Sequence, residues 1–80
     1  MLQVLVTCPE GVLFDVAARR AVFPGDQGTF EVLPLHRPLV SRLLRGIIEI
    51  DEGGFAIRRG IVRVADDVVV AVVELEPRVT

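Results

Sequence analysis

Few residues in this sequence have both the type and the neighbours that catalysis requires. His36 is the only histidine and Ser41 the only serine, and no Gly-x-Ser-x-Gly motif surrounds that serine. A catalytic triad needs a base beside a nucleophile and a carboxylate that orients the base. Lysine is absent, so no lysine can act as a nucleophile or Schiff-base former. We therefore expect no catalytic residue and interpret His36 as a structural or contact residue.

The sequence also lacks a recognisable site for a metal ion or a cofactor. Its one cysteine, Cys8, and its one histidine cannot supply the three or four nitrogen and sulfur ligands of a transition-metal site. The acidic pairs at positions 51–52 and 66–67 lack the spaced oxygen ligands of a calcium loop, and we interpret them as solvated turns. Residues 24–28 contain two glycines but not the Gly-Lys-Ser/Thr ending of a phosphate-binding loop. We expect no metal, cofactor or nucleotide.

The composition is typical of one small domain with protein partners. The 80 residues allow a single domain, residues 1–80. The net charge of −2, with four phenylalanines and neither tyrosine nor tryptophan, argues against a nucleic-acid partner. No stretch approaches the roughly 18 apolar residues that span a bilayer, so we expect no direct membrane insertion. A hydrophobic content of 51% is high for so short a chain and suggests apolar surface that a partner covers.

The spacing of glycine and proline predicts strands. Seven glycines and five prolines punctuate the sequence at intervals that leave little room for helices. Side chains alternate or are continuously apolar, as in strands, over residues 2–8, 12–16, 30–33, 48–51, 55–57, 62–65 and 68–75. We therefore predict an all-β domain: a two-sheet β-sandwich or flattened barrel of about 8–10 short, mostly antiparallel strands with little or no helix.

Several local features refine this prediction. Gly53 and Gly54 are a strong signal for a two-residue hairpin turn, and residues 66–67 predict another turn. Residues 68–73 are apolar on both faces, which is typical of a central strand or of one that a partner covers. Residues 17–21 have some helix propensity, but the absence of a 3.6-residue period favours a strand with a break near Ala17. Residues 39–44 are compatible with one helical turn.

The segment at positions 22–39 reads Val-Phe-Pro-Gly-Asp-Gln-Gly-Thr-Phe-Glu-Val-Leu-Pro-Leu-His-Arg-Pro-Leu. It resembles the part of the epsilon subunit of F-type ATP synthases in which a strand runs into Pro-Gly, then a Gly-x-Phe or Gly-x-Leu strand, then Leu-Pro-Gly-His-x-Pro-Leu. Residues 4–14 are similar to that family's opening strand, Thr-Pro-Glu turn and returning strand. Residues 45–50, 59–64 and 68–72 resemble three further strands, so the resemblance covers nearly the whole chain in order.

The sequence departs from that family's pattern at four positions and in its ending. Glycine is common in the family where this sequence has Glu31, Leu35 and Arg59, and proline is common at Arg45. Because glycine admits positive φ and leucine rarely does, we expect the loop around position 35 to differ in backbone shape. In the family a helical hairpin often follows the sandwich, where it inhibits hydrolysis or, in some members, binds ATP. This sequence ends at Thr80, so we expect neither role here.

The resemblance implies a non-catalytic central-stalk subunit that helps couple proton-driven rotation to ATP synthesis. It implies the gamma subunit and the polar loops of the c-ring as partners, and a peripheral place on the cytoplasmic side of the inner (plasma) membrane. The residues that it implies for the c-ring side are Asp26, Gln27, Thr29, His36 and Arg37. For the gamma side, the apolar final strand and two arginines near its edge suggest Val69, Val73, Arg42 and Arg45.

Two other functions stay open from the sequence. A generic β-sandwich interaction or ligand-binding module would share the fold, and it predicts a concave pocket with convergent polar groups. A small enzyme needs a nucleophile–base pair that this sequence hardly supplies, so it ranks last. Binding to a gamma subunit separates the rotor subunit from both.

Overall fold

The computed structural model describes residues 1–77, and within that range the chain forms eight β-strands and no helix. The strands are β1 (Leu2–Cys8), β2 (Gly11–Ala18), β3 (Ala21–Gly25), β4 (Gly28–Val32), β5 (Leu39–Leu43), β6 (Gly46–Ile50), β7 (Gly53–Ala65) and β8 (Val68–Leu75). β1 and β8 are parallel, and the other paired strands are antiparallel. The prediction of an all-β sandwich of mostly antiparallel strands is confirmed.

The long strand β7 joins the two layers of the sandwich. Its first half pairs with β6, and its second half pairs with β5 on the same edge and with β8 on the other edge. The first layer has the order β2-β1-β8-β7-β5, and the second layer consists of β4, β3, β6 and the start of β7. A single pair, Gly25 with Leu43, links β3 to β5. The two layers are therefore only partly closed along this seam.

The backbone turns from one layer to the other near the middle of β7. The register with β8 shifts between Ile57 and Arg59, which marks a β-bulge that bends the strand. At Gly60, a Cβ atom would lie 2.6 Å from the carbonyl oxygen of Val72 and 2.9 Å from Val73 Cγ1. Both distances are shorter than carbon atoms tolerate. Glycine therefore lets β7 pass this close to β8.

The core between the layers is entirely apolar. Its side chains come from both layers and follow the two-residue period of the strands. The buried apolar residues are Leu2, Val4, Val6, Ala18, Ala21, Val22, Phe23, Val32, Leu43, Ile48, Ile57, Val62, Val64, Val69, Ala71 and Val73. No buried side chain within residues 1–77 is polar or charged, so removal of apolar surface from water is the main stabilising term. The largest of these side chains, Phe23, stacks on Phe30 with ring centroids 5.6 Å apart.

Two-residue turns close four hairpins, at positions 9–10, 26–27, 51–52 and 66–67. The turn predicted at Asp66 and Asp67 is confirmed. Both aspartates have positive φ, 52° and 61°, as the common two-residue hairpin turn requires. Aspartate tolerates this conformation better than most residues.

The β6–β7 turn lies two residues before its predicted position. The prediction at Gly53 and Gly54 is wrong, because both glycines belong to the β6–β7 ladder. Asp51 makes the turn instead, with a φ of 51°. Its Oδ1 accepts hydrogen bonds from the backbone N–H groups of Arg19 (2.8 Å) and Arg20 (3.2 Å). These long-range bonds hold the aspartate in the left-handed conformation.

Both segments with an ambiguous sequence pattern are extended. Residues 39–43 form β5, so the helical alternative for residues 39–44 is wrong. Ala17 remains paired with Gln3 in the β1–β2 ladder. The chain therefore breaks two residues later than predicted, at Arg19 and Arg20.

Arg20 braces the corner where β2, β3 and the β6–β7 turn meet. Its Nε donates to Glu31 Oε2 at 2.8 Å, and its Nη1 donates to the carbonyl oxygen of Asp51 at 3.3 Å. The hydrogen bond to Glu31 raises the pKa of the guanidinium, desolvation opposes the rise, and the carboxylates of Glu31, Glu49 and Asp51 add to it. Arg20 therefore stays positively charged and links β4, through Glu31, to the β6–β7 turn.

Candidate partner-binding surfaces

His36 and Ser41 each form a hydrogen bond to the backbone. The Nδ1–H group of His36 donates to the carbonyl oxygen of Arg37 at 2.6 Å, and the Ser41 hydroxyl donates to the carbonyl oxygen of Arg42 at 3.0 Å. Each side chain thus bonds to the backbone of the next residue. Within residues 1–77, no three His, Cys, Asp or Glu side chains are grouped so as to hold a metal ion.

The β3–β4 hairpin presents three of the residues predicted for the c-ring side. Asp26, Gln27 and Thr29 are all exposed there. The backbone N–H of Asp26 donates to the carbonyl oxygen of Arg42 at 3.1 Å, which fixes the hairpin against the end of β5. A groove of about 420 Å³ runs between the hairpin and β5, and these four residues line part of it. The hairpin is therefore a fixed polar surface rather than a free loop.

His36 and Arg37 lie in a different place, in the loop formed by residues 33–38 between β4 and β5. This loop packs on the β7–β8 turn, where the backbone N–H of Leu35 donates to Asp67 Oδ1 at 2.7 Å. The loop precedes the start of β5, whereas the hairpin is bonded near its end. A five-residue strand spans roughly 13 Å. The residues predicted for one c-ring surface therefore form two separate groups.

Arg42 and Arg45, predicted for the gamma side, have different surroundings. Arg45 is ion-paired through its Nε to Glu76 Oε2 at 3.0 Å. Arg42 is exposed and, within residues 1–77, takes part in no ion pair. It lies opposite Ile61 across the β5–β7 ladder. Because its carbonyl oxygen also holds Asp26, Arg42 connects the β3–β4 hairpin with the first layer.

The structure corrects the prediction that Val69 and Val73 contact gamma. Both side chains lie in the core and are 0% and 2% exposed, so a partner cannot reach them without unfolding the sandwich. The expectation of a central strand is right, since β8 lies between β1 and β7. The outward residues of β8 are the alternate ones, Val68, Val70 and Val72.

The outward side of the first layer is a largely apolar surface, which we call the outer face. Its apolar side chains come from β1, β5, β7 and β8 and are Leu5, Val40, Ile61, Val68, Val70 and Val72. Across the sheet, Thr7, Val72, Ile61 and Arg42 form one row. Val72 and Ile61 are 50% and 51% exposed. A second exposed arginine, Arg63, lies between Val40 of β5 and Val70 of β8, so the apolar side chains of this face surround one cationic group.

The sequence predicted that a partner could cover β8, but the predicted contacts were the inward residues Val69 and Val73 instead of the outward ones. Residues 61–65 and 68–72 alternate in the same register across the β7–β8 hairpin. The second layer decides which of the two alternating sets of side chains is buried. Because β8 is apolar on both faces, its sequence does not show which set that is. The candidate contacts on β8 are therefore the residues next to those predicted, and they lie on the opposite face of the sheet.

A cavity of about 390 Å³ opens at the free edge of β2. Phe14 of β2 stacks there on Phe55 of β7, with ring centroids 4.9 Å apart. Val16 and Ile50 extend its apolar lining, and Asp51 is the one charged residue among those that line it. The carboxylate of Asp51 is already bonded to two backbone N–H groups. The cavity thus lacks the convergent polar groups that orient a small-molecule ligand.

Three of the four residues that depart from the epsilon-subunit pattern are ion-paired. The pairs are Glu31 with Arg20 (2.8 Å), Arg45 with Glu76 (3.0 Å) and Arg59 with Glu74 (3.0 Å). The fourth, Leu35, has a φ of 68° and a side chain that is 90% exposed. Leucine here adopts the positive φ that glycine favours, so the expected difference in backbone shape at this position is wrong.

Known proteins with similar sequences are ATP synthase epsilon chains. Residues 1–75 match the family model described as the β-sandwich domain of the ATP synthase delta/epsilon chain. The epsilon chain of a Nitratiruptor species is 36% identical in a 78-residue alignment that covers 91% of this chain and 60% of that protein. That of a Sulfurovum species is 34% identical in a 79-residue alignment that covers 92% of this chain and 62% of that protein. The chain thus spans about three fifths of the length of these curated relatives.

Two solved structures share the fold. A chain in the cryo-EM structure of the central stalk and c-ring of the Tetrahymena thermophila mitochondrial ATP synthase aligns with a TM-score of 0.78 at 18% identity, over 91% of this chain and 63% of that one. A chain in the Euglena gracilis mitochondrial ATP synthase aligns with a TM-score of 0.82 at 22% identity, over 90% of this chain and 49% of that one.

Within residues 1–77, the structure contains no helix with the length and hydropathy of a membrane span.

Proposed function

We propose a rotor role for this chain, which belongs to the ATP synthase delta/epsilon family and has that family's β-sandwich domain over residues 1–75. In this role it is a central-stalk subunit that links the gamma subunit to the membrane c-ring. It binds both partners and rotates with them, and no covalent bond forms or breaks in it. Proton-driven rotation of the ring passes through this contact to gamma, which drives ATP synthesis in the catalytic subunits.

The outer face is the observation that carries the proposal. A stable interface combines apolar side chains at its centre with polar groups. The outer face has Val72 and Ile61 side by side, Arg42 at the end of their row, and Arg63 between Val40 and Val70. Val72 and Ile61 are each about half exposed, so complete burial adds about 1 kcal/mol per side chain. We propose that gamma covers this face, in place of the contacts first predicted at Val69 and Val73.

The polar β3–β4 hairpin suits a polar partner. Asp26, Gln27 and Thr29 are exposed and held by the end of β5, so they can bind the polar loops of the c-ring without a large loss of conformational entropy. His36 and Arg37 belong to a second contact, because their loop lies at the other end of β5. The hairpin therefore keeps the c-ring assignment, and the 33–38 loop requires its own partner surface.

The proposed role is non-catalytic and peripheral. His36 and Ser41 each bond to backbone rather than to each other, which supports a binding role over a chemical one. The assembled complex would hold the chain on the cytoplasmic side of the inner (plasma) membrane through its protein contacts. A nucleotide is not part of the proposal. A ligand-binding module is not favoured, because the largely apolar cavity beside Phe14 offers no set of free polar groups.

Isothermal titration calorimetry with the gamma subunit from the same source tests the proposal. We expect one-to-one binding by the wild-type chain. Val72→Asp places a charge at the centre of the outer face and weakens binding by at least about 100-fold, since burial of an unpaired charge is costly. Ile47→Asp is the matched control, because Ile47 is 52% exposed on β6 in the other layer. Absence of binding by a folded wild-type chain would overturn the rotor role.

A further inference from the structure

The backbone of Leu35 has a strained conformation, and burial of its side chain does not offset that strain. Its φ is 68°, in the left-handed region, where the Cβ atom of an L-residue crowds the following carbonyl group. Leucine has no polar group with which to bond locally, unlike the aspartates that have positive φ elsewhere in this chain. Its side chain is 90% exposed. The described part of the chain therefore gains no burial that would offset the strain.

Specific hydrogen bonds keep the Leu35 backbone in place. Its N–H donates to Asp67 Oδ1 at 2.7 Å. The backbone of Asp67 is itself fixed, because its carbonyl oxygen accepts a hydrogen bond from the N–H of Gln3 at 2.9 Å. On the other side, the N–H of His36 donates to the carbonyl oxygen of Leu33 at 3.1 Å. The side chain of Leu35 is thus presented to solvent by a pre-organised loop.

We propose that Leu35 is an anchor that inserts into an apolar pocket of the gamma subunit. Strained residues persist where their strain serves a function, and a loop whose backbone is already fixed loses little entropy when it binds. The inference rests on the proposed rotor role and adds a residue outside the outer face. It gives the 33–38 loop a partner different from that of the β3–β4 hairpin.

The chemistry of this loop favours a folded protein over the other surfaces near a rotor. A polar c-ring loop leaves a leucine side chain in water, so it offers no gain on contact. An anionic membrane surface attracts clusters of basic residues, whereas Asp66 and Asp67 outnumber Arg37 around Leu35. An apolar pocket on a folded subunit is the surface that buries this side chain.

The test combines gamma-binding calorimetry with thermal unfolding of the isolated chain. Leu35→Asn keeps a residue that accepts positive φ but removes the apolar group. We expect its affinity for gamma to fall by about 10- to 100-fold, the loss that follows from one leucine left unburied. We expect its Tm to stay equal or to rise by a few degrees, roughly 4 °C, because the strain is relieved. Leu35→Met keeps an apolar side chain and binds within about threefold of wild type.

Leu44→Asn is the matched control, because Leu44 is 49% exposed after the other end of β5. It should leave the affinity within about threefold of wild type. If Leu35→Asn binds gamma as tightly as the wild type does, the anchor role is overturned while the rotor role stands. A fall in Tm of several degrees in Leu35→Asn would assign the leucine to the fold and overturn the anchor as well. If the wild-type chain does not bind gamma, both proposals are overturned.

Discussion

Gly60→Ala is the substitution that most directly probes the way β7 passes between the layers. The added Cβ would lie 2.6 Å from the carbonyl oxygen of Val72. Close carbon–oxygen contacts in sheets lie at about 3.3–3.6 Å, so the new atom is about 0.7 Å too close. The obstacle is backbone of β8, a central strand paired with both β1 and β7, so no flexible side chain can move aside. We expect a loss of about 2–3 kcal/mol in the free energy of unfolding and a Tm lower by roughly 10–20 °C.

Gly53→Ala is the control within the same strand. The nearest atom to its added Cβ is the carbonyl oxygen of Ile50 at 3.7 Å, an ordinary contact. Removal of glycine at such a position stabilises by about 0.4–1 kcal/mol, because the unfolded chain loses entropy. Urea unfolding followed by circular dichroism measures both variants. If Gly60→Ala is as stable as Gly53→Ala, the close passage of β7 against β8 is not as the structure has it.

Two further predictions concern the turn and the surface ion pairs. Asp51→Ala removes the acceptor of the Arg19 and Arg20 N–H groups and should lower the free energy of unfolding by about 1–3 kcal/mol. Asp51→Asn keeps an oxygen acceptor and should retain most of that stability. Equal urea midpoints for the two variants would contradict the role of the carboxyl oxygen. Arg59→Ala breaks the pair with Glu74, whose partners are 63% and 49% exposed, and should change the free energy of unfolding by less than about 0.5 kcal/mol; a thermal shift of many degrees would show that the pair is not a solvated one.

The strands are largely readable from the sequence, because alternation and turn residues are local signals. Residues 66–67 form the predicted turn because two aspartates accept positive φ at once. Gly53 and Gly54 misled the prediction because they are the stronger local signal. Asp51 makes the turn with the help of backbone groups some 30 residues away, and no local pattern shows such a contact.

The partner surfaces are less readable, because they depend on how the layers pack. The apolar run in β8 predicts a central strand correctly, but it does not show that Val69 and Val73 face inward while Val72 faces outward. Likewise, the sequence places Asp26 and His36 in neighbouring loops. In the structure the two loops lie at opposite ends of β5, and this separation is a tertiary feature.

Charged substitutions in the epsilon-subunit pattern illustrate the same limit. Arg45 and Arg59 pair with acidic residues just after β8 and in it, respectively. These partners lie far along the chain, and their proximity follows from the β7–β8 ladder and from the chain just beyond it. A resemblance can mark such positions as unusual, but it does not supply the residue that compensates them.

Proton pumping by a rebuilt synthase tests the rotor role most directly. The synthase of the source organism would be assembled in membranes without this chain, with the wild-type chain, or with the Val72→Asp or Ile47→Asp variant. We expect ATP-driven proton pumping with the wild-type chain and with Ile47→Asp, and little pumping without the chain or with Val72→Asp. Equal pumping with and without the chain would contradict a coupling role in the central stalk.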